Sequence, residues 1–310
     1  MNLEPVSGVQ YVLKHGEYEA IVASVGASLR VLTCAGRHLV VPFDADEERP
    51  AYRGATLAPW PNRVVDSRYV FESAEYQLPV NEPARGHALH GLVSDLDFEL
   101  VDQTQNSVTL TTVIEAQEGY PWRMRITTAF CLSDDGLSQS VVAENLSDRR
   151  APLGLSAHPY LVAGEGSVDD WNLELSADQV LLVNPALLAP TDLVAVTPEL
   201  DFRSGRQIGS TRIDHAYTAL HRDQTGRAAV RITAVGGSGV AMDWGESCPW
   251  VQIHTADLSV GDPGHRAGLA VEPMTCAPDA FNVSNYDFDT GLRTLEPGAA
   301  TTASWRVFAV

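Results

Sequence analysis

The chain has 310 residues, long enough to bury a substantial core without disulfide help, as one large domain or two ordinary ones. Its 40 acidic side chains against 21 lysines and arginines leave a net charge of −19, which repels nucleic acid phosphates and anionic membrane surfaces. Cys34, Cys131, Cys248 and Cys276 are widely spaced with no CxxC pair, so no zinc site is indicated and buried free thiols are expected.

Strand patterns recur from end to end. "YEAIVASVGASLRVLTCAGRHLVVPF" reads as short β-branched runs broken at Gly26 and Gly36. "SVTLTTVIEA" is one further strand, and "WRMRITTAFCLSDDGLSQSVVAEN" is two strands joined by a turn at Asp135 and Gly136. The stretch from about 184 to 214 is rich in proline and shows no clear strand; it is expected to be a long loop that helps to wall a groove. "AAVRITAVGGSGVAMDWG" is another hairpin, and "LEPGAATTASWRVFAV" is a turn followed by a closing strand. Nowhere does an apolar period of 3.6 persist over a helix length. With no linker and no fixed repeat, the sequence predicts a mainly β protein, a single domain over residues 1–310 built as a large antiparallel β-sandwich. No basic stretch followed by an apolar one opens the chain, and no run of about 18 apolar residues occurs, so a cytoplasmic location is expected.

Polar residues with chemical potential collect in short inserts beside the strands. In "NEPARGHALHGLV", residues 81–93, His87 and His90 stand three apart, but flanking glycines and the absence of HExxH argue against a metal site. No GxSxG elbow supports a nucleophile. Acid/base work remains, with histidines at 87, 90, 158, 215 and 254 and carboxylates at Asp214 and Glu272. A sugar suits such a site, its hydroxyls paired with Asp and Arg and its apolar face stacked on Trp60, Tyr160, Trp244 or Trp250. Each of these residues also has a structural reading: Arg63 in a surface ion pair, His90 and His158 as turn or core histidines, Asp214 in a turn, Glu272 on a salt-bridged edge, Gln252 facing solvent. His87, His215 and His254 read as structural or supporting residues.

The inserts hold, in order, Asn62-Arg63, Leu89-His90-Gly91, His158-Pro159-Tyr160, Asp214-His215-Ala216-Tyr217, and Glu272-Pro273 with Pro278-Asp279-Ala280 and Asn282. Taken in that order, over about residues 20 to 310, they resemble the aldose 1-epimerase (galactose mutarotase) family. The resemblance implies a galactose mutarotase-like supersandwich that acts on a monosaccharide as a monomer or homodimer, with no cofactor and no metal. It implies His158 as general acid and Glu272 as general base, with Arg63, His90, Asp214 and Gln252 binding the substrate. Asn62, His87 and Tyr160 are expected to support them. In the implied reaction the base takes the proton from the C1 hydroxyl while the acid protonates the ring oxygen, C1–C2 rotation turns the aldehyde, and the ring recloses as the other anomer. Glu272 is then expected to start ionised and His158 protonated.

Leu92, Ala157 and Met274 depart from the family's common pattern and point to a divergent subgroup. Three alternatives stay open: an epimerase of an anionic sugar such as a hexose 6-phosphate or a sulfonated sugar, a carbohydrate-binding β domain without catalysis, and a glycoside hydrolase using Asp214 and Glu272.

Overall fold

A computed structural model describes residues 5–259 and 261–310. Strands dominate, and among the described residues the helices are four short 3-10 turns, Pro50–Tyr52, Val65–Ser67, Val168–Asp170 and Ala280–Asn285. A nine-stranded sheet runs from edge to edge as Glu99–Gln103, Ser107–Ile114, Met124–Ser133, Gly136–Asn145, Ala300–Ala309, Gly239–Trp244, Ala228–Thr233, Asn172–Leu175 and Arg206–Gln207. Its neighbouring strands are antiparallel throughout. The closing strand Ala300–Ala309 lies at its centre, pairing with Gly136–Asn145 on one side and Gly239–Trp244 on the other, and so ties the two halves of the chain together.

Met124–Ser133 shows why these segments become strands: Met124, Ile126, Thr128, Phe130 and Leu132 are buried while the residues between them are not, the period of two that a one-sided sheet requires. The turn at Gly136 has φ of 106°, and a Cβ there would stand 2.4 Å from the Val307 carbonyl, so only glycine fits.

A six-stranded sheet, ordered Tyr160–Leu161, Leu269–Met274, Trp250–His254, Asp214–Leu220, Ala177–Val183 and Pro190–Ala195, faces it. Val251, Ile253 and Val271 from this sheet join Val141, Val230 and Met242 of the larger one in a common core, which also takes Leu13, Ala20 and Leu32 from a four-stranded N-terminal sheet. The expected antiparallel sandwich is therefore present. The proline-rich stretch departs from its expected loop character, because Pro190–Ala195 and Arg206–Gln207 are edge strands of the two sheets. Proline is tolerated there because an edge leaves one side of the strand unpaired. The thiols also differ from expectation: all four are free, but Cys131 is exposed and Cys34 half-buried, with only Cys248 and Cys276 inside. No helix among the described residues is long and apolar enough to cross a membrane.

Candidate active site

Alternation on the six-stranded sheet creates the site. With Val251, Ile253 and Val271 turned into the core, Gln252, His254 and Glu272 fall on the opposite face. Gln252 pairs with Glu272 on one side and Ala216 on the other, and His254 pairs with Asp214 and with Ala270. Three strands thus bring polar residues from positions 214, 252, 254 and 272 onto one small patch.

Irregular chain covers that patch. Arg63 pairs with Leu89, and His90 and Asn62 are bonded twice, His90 N–H to the Asn62 carbonyl (2.8 Å) and Asn62 N–H to His90 Nδ1 (3.2 Å). Gly91 must be glycine: its φ is +78°, and a Cβ would lie 2.1 Å from the Ala58 carbonyl. Tyr52, Asn62 and His90 hold φ of 57°, 54° and 60°, strained values for residues with side chains, and all three line the space over the patch.

That space is a cavity of about 200 Å³ lined by Tyr52, Asn62, Arg63, His90, His158, Tyr160, Asp214, His254 and Glu272, with Ala51 and Leu89. It is smaller than the roughly 300–1,000 Å³ that drug-sized ligands occupy, and it suits one small polar molecule. A larger cleft of about 720 Å³ beside Arg37, His38 and Glu165 has no paired acid and base.

At its centre His158 Nε2 lies 3.4 Å from Glu272 Oε1, with both side chains almost fully buried. Burial lowers the His158 pKa to about 3, helped by the charge of His254. Burial also raises Glu272 well above the carboxylate range, reinforced by Asp214 and opposed by Arg63. The open cavity therefore favours a protonated carboxyl and a neutral imidazole, the reverse of the ionised base and protonated acid expected from sequence. Desolvation penalises both charges, a cost that residue identities alone do not show.

The other expected residues are fixed by particular partners. Arg63 donates through Nε and Nη2 to the two oxygens of Glu82, at 2.8 and 2.9 Å, and Arg85 shares that carboxylate at 2.6 Å. Burial pushes Glu82 up, but these arginines outweigh it and hold it below its ordinary value. The buried Asp279 accepts from Val65 N–H, Asn282 Nδ2 and the Tyr286 hydroxyl, and its own N–H donates to the Arg63 carbonyl. The motif around Asp279 and Asn282 thus serves to anchor the Arg63 strand.

Gln252 stands behind the cavity wall rather than in it, donating from Nε2 to Asp214 Oδ1 at 2.6 Å. His87 is also outside the cavity. Its Nδ1 accepts from Asp66 N–H and its Nε2 donates to the Leu187 carbonyl, which pins the 184–189 turn against the 85–91 segment. Asn62 and Tyr160 come closer than expected and line the space directly. His215 uses Nδ1 on the Asp214 N–H and does not reach the cavity. Trp60, Trp244 and Trp250 belong to the core, leaving Tyr160 as the one expected stacking residue in place.

Sequence reasoning missed Tyr52, whose ring lies 4.6 Å from that of His90 and 6.4 Å from that of His158, and it set His254 aside as a supporting residue. Glu82 was visible in the 81–93 insert, but nothing in the spacing linked it to Arg63.

His90, His158 and Glu272 each bring a ligand-capable atom within 4.8 Å of the others. His90 does not suit a metal, because its Nδ1 accepts the Asn62 N–H and its proton consequently sits on Nε2. The ring offers the cavity a donor, not a lone pair.

The aldose 1-epimerase family model matches residues 9–307, nearly the whole chain. The chain belongs to the aldose 1-epimerase family. Among relatives of the family, the uncharacterized protein YihR of Escherichia coli is 35% identical over 290 residues, covering 89% of this chain and 87% of that protein. Rat galactose mutarotase is 30% identical over 264 residues, 77% of this chain and 74% of the rat protein. The structure of a GalM/aldose epimerase homologue from C. elegans superposes with a TM-score of 0.82 at 21% identity, covering 97% of this chain and 99% of that one, and shows that the fold is galactose mutarotase-like.

Proposed function

We propose that this family member is a mutarotase that interconverts the α and β anomers of a free aldose, such as glucose or galactose, by acid/base ring opening and reclosure. The observation that carries the reading is the buried His158–Glu272 pair, 3.4 Å apart, facing a cavity of monosaccharide scale. A domain that only binds sugar has no need of an acid and a base held together out of water.

Ring opening requires one proton to leave the C1 hydroxyl and one to reach the ring oxygen. The substrate itself sets the starting state. A C1 hydroxyl donating to Glu272 favours the carboxylate, and a ring oxygen accepting from His158 favours the imidazolium, so binding moves the shared proton from Glu272 to His158. Glu272 then removes the hydroxyl proton as His158 protonates the ring oxygen, and the roles reverse after C1–C2 rotation. Arg63 and the Nε2–H of His90 supply donors to substrate oxygens. Asp214, held by Gln252, accepts from sugar hydroxyls through its other oxygen. Tyr52 and Tyr160 line the space with aromatic surface that the apolar side of a pyranose meets. Neither a metal nor a cofactor takes part in these steps, and we place the protein in the cytoplasm.

The test is polarimetry of freshly dissolved α-D-glucose and α-D-galactose. The wild type accelerates the approach to equilibrium rotation, whereas Glu272→Gln and His158→Ala reduce the rate by about 10²–10⁴-fold. A folded wild type that leaves the spontaneous rate unchanged with every aldose tried sinks the reading.

A further inference from the structure

His158 carries a positive charge once a proton reaches it, and its hydrogen bonds do little to support one. Its Nε2 faces Glu272 at 3.4 Å, but its Nδ1 is buried and meets no hydrogen-bond partner. Where a catalytic histidine is backed by a carboxylate, the second ring nitrogen donates to it and the imidazolium is stabilised. His158 lacks that backing. Its charged neighbours also act against the proton, His254 first and then Arg49 and Arg63. His90 meets the ring edge-on, 5.0 Å between centres at 77°, and burial keeps it neutral.

What lies against the imidazole instead is aromatic. The Tyr160 ring is stacked on it, with 5.0 Å between centres and 23° between planes, and the Tyr52 ring lies 6.4 Å away at 22°. The backbone fixes all three residues. His158 N–H donates to the Ala55 carbonyl (3.0 Å) and Gly54 N–H to the His158 carbonyl (2.9 Å), which ties His158 to the turn that carries Tyr52. Tyr160 pairs with Ala270, and its carbonyl accepts from Val41 N–H at 2.8 Å. Gly268 leaves it room: a Cβ there would stand 2.3 Å from Val41 Cγ2 and 3.1 Å from Tyr160 Cβ.

Burial raises the pKa of both phenols, so they stay protonated and offer His158 ring electrons and not a negative charge. The face of a tyrosine ring attracts a cation within about 6 Å of its centre. Tyr160 meets that distance and Tyr52 stands just beyond it. The Arg53 guanidinium carbon, 5.9 Å from the Tyr160 centre, places one permanent cation beside the same ring.

We propose that Tyr160 is a positioning residue for the acid: its ring stabilises the His158 imidazolium in place of the absent Nδ1 hydrogen bond, and Tyr52 adds a weaker contribution. This rests on the mutarotase reading and deepens it, because His158 is charged only while a proton is on its way to or from the ring oxygen.

Ring fluorination separates this role from packing, since fluorine withdraws electrons from the ring face and barely changes its shape. Anomer exchange of glucose and galactose is followed by NMR for the wild type, for Tyr160→Phe, and for phenylalanine with one, two or three ring fluorines at position 160. Tyr160→Phe is expected to keep most of kcat. Each added fluorine then lowers log kcat by a similar step, to about tenfold below Tyr160→Phe at the end of the series, with a smaller change in KM. The same series at position 52 gives a shallower slope. A flat series at position 160 in folded variants overturns the proposal and leaves the mutarotase standing. So does a loss confined to KM, which makes the ring a sugar contact only. If the wild type exchanges no aldose, the mutarotase reading falls and titration of the His158 imidazole nitrogens by NMR decides alone. A lower His158 pKa with the trifluorinated ring than with Tyr160→Phe upholds the role of the ring, and an equal one overturns it.

Discussion

Gln252 holds Asp214: its Nε2 donates to Asp214 Oδ1 at 2.6 Å across the paired strands, while its own Oε1 is buried without a partner. Asp214 therefore enters the cavity with one oxygen committed and its orientation set. Gln252→Leu frees that carboxylate, and the expected effect is a rise in KM of about tenfold with a smaller change in kcat, as a lost binding contact requires. Steady-state kinetics on the preferred sugar check this, and an effect confined to kcat would place Gln252 nearer the chemistry.

The buried pair makes stability depend on pH in two separate windows. In the unfolded chain Glu272 titrates near 4.5 and His158 near 6.5, whereas in the fold Glu272 is raised and His158 falls to about 3. Below 4.5 the unfolded Glu272 is protonated like the folded one, so the remaining loss comes from His158, which charges only when unfolded until pH nears 3. Above 6.5 His158 is neutral in both states, and stability falls because unfolded Glu272 has released a proton that the folded one retains. Between 4.5 and 6.5 the two slopes cancel. Each falling limb has a slope of up to about 1.4 kcal/mol per pH unit from this pair. Urea denaturation across pH should show that Glu272→Gln flattens the alkaline limb and His158→Ala the acid limb.

Activity follows the same protons. kcat/KM is expected to hold across neutral pH while the pair carries one proton, and to drop on the alkaline side as Glu272's raised pKa is crossed. A pH-rate profile lacking that alkaline limb would argue against a proton held at Glu272.

Removing Glu82 leaves Arg63 nearly buried with its bidentate partner gone. Glu82→Ala should destabilise the fold by about 2 kcal/mol, between the roughly 0.2–1 of an exposed pair and the 3–5 of a buried one. The same variant should weaken substrate binding because Arg63 loses its fixed orientation. Chemical denaturation and KM together test this; a stability loss with unchanged KM would limit Glu82 to the fold.

His87→Leu removes the side-chain partner of the Asp66 N–H and the Leu187 carbonyl, both on exposed residues that water can reach. A loss of about 1 kcal/mol is expected. Hydrogen exchange should show the 184–189 turn loosened.

Much of the sandwich was legible because its strands alternate cleanly, as Met124–Ser133 does. Pro190–Ala195 was hidden because an edge strand with no fully buried residue shows no alternation and carries proline at its start. Arg63, His90, His158, Asp214 and Glu272 stood out as motifs and do converge on one cavity. Tyr52 did not stand out because its place depends on a left-handed turn at residues 51 and 52 that no local pattern announces. The protonation of His158 and Glu272 was equally hidden, since it depends on how completely distant segments exclude water from the pair.

The central claim is that His158 and Glu272 together open and reclose a sugar ring. Magnetisation-exchange NMR of an equilibrated aldose measures α–β interconversion directly, without net reaction and without a coupled enzyme. The account predicts exchange well above the spontaneous rate with catalytic amounts of wild type, and its disappearance in both Glu272→Gln and His158→Ala under conditions where each variant is folded. Exchange that persists at the wild-type rate in either folded variant would contradict it.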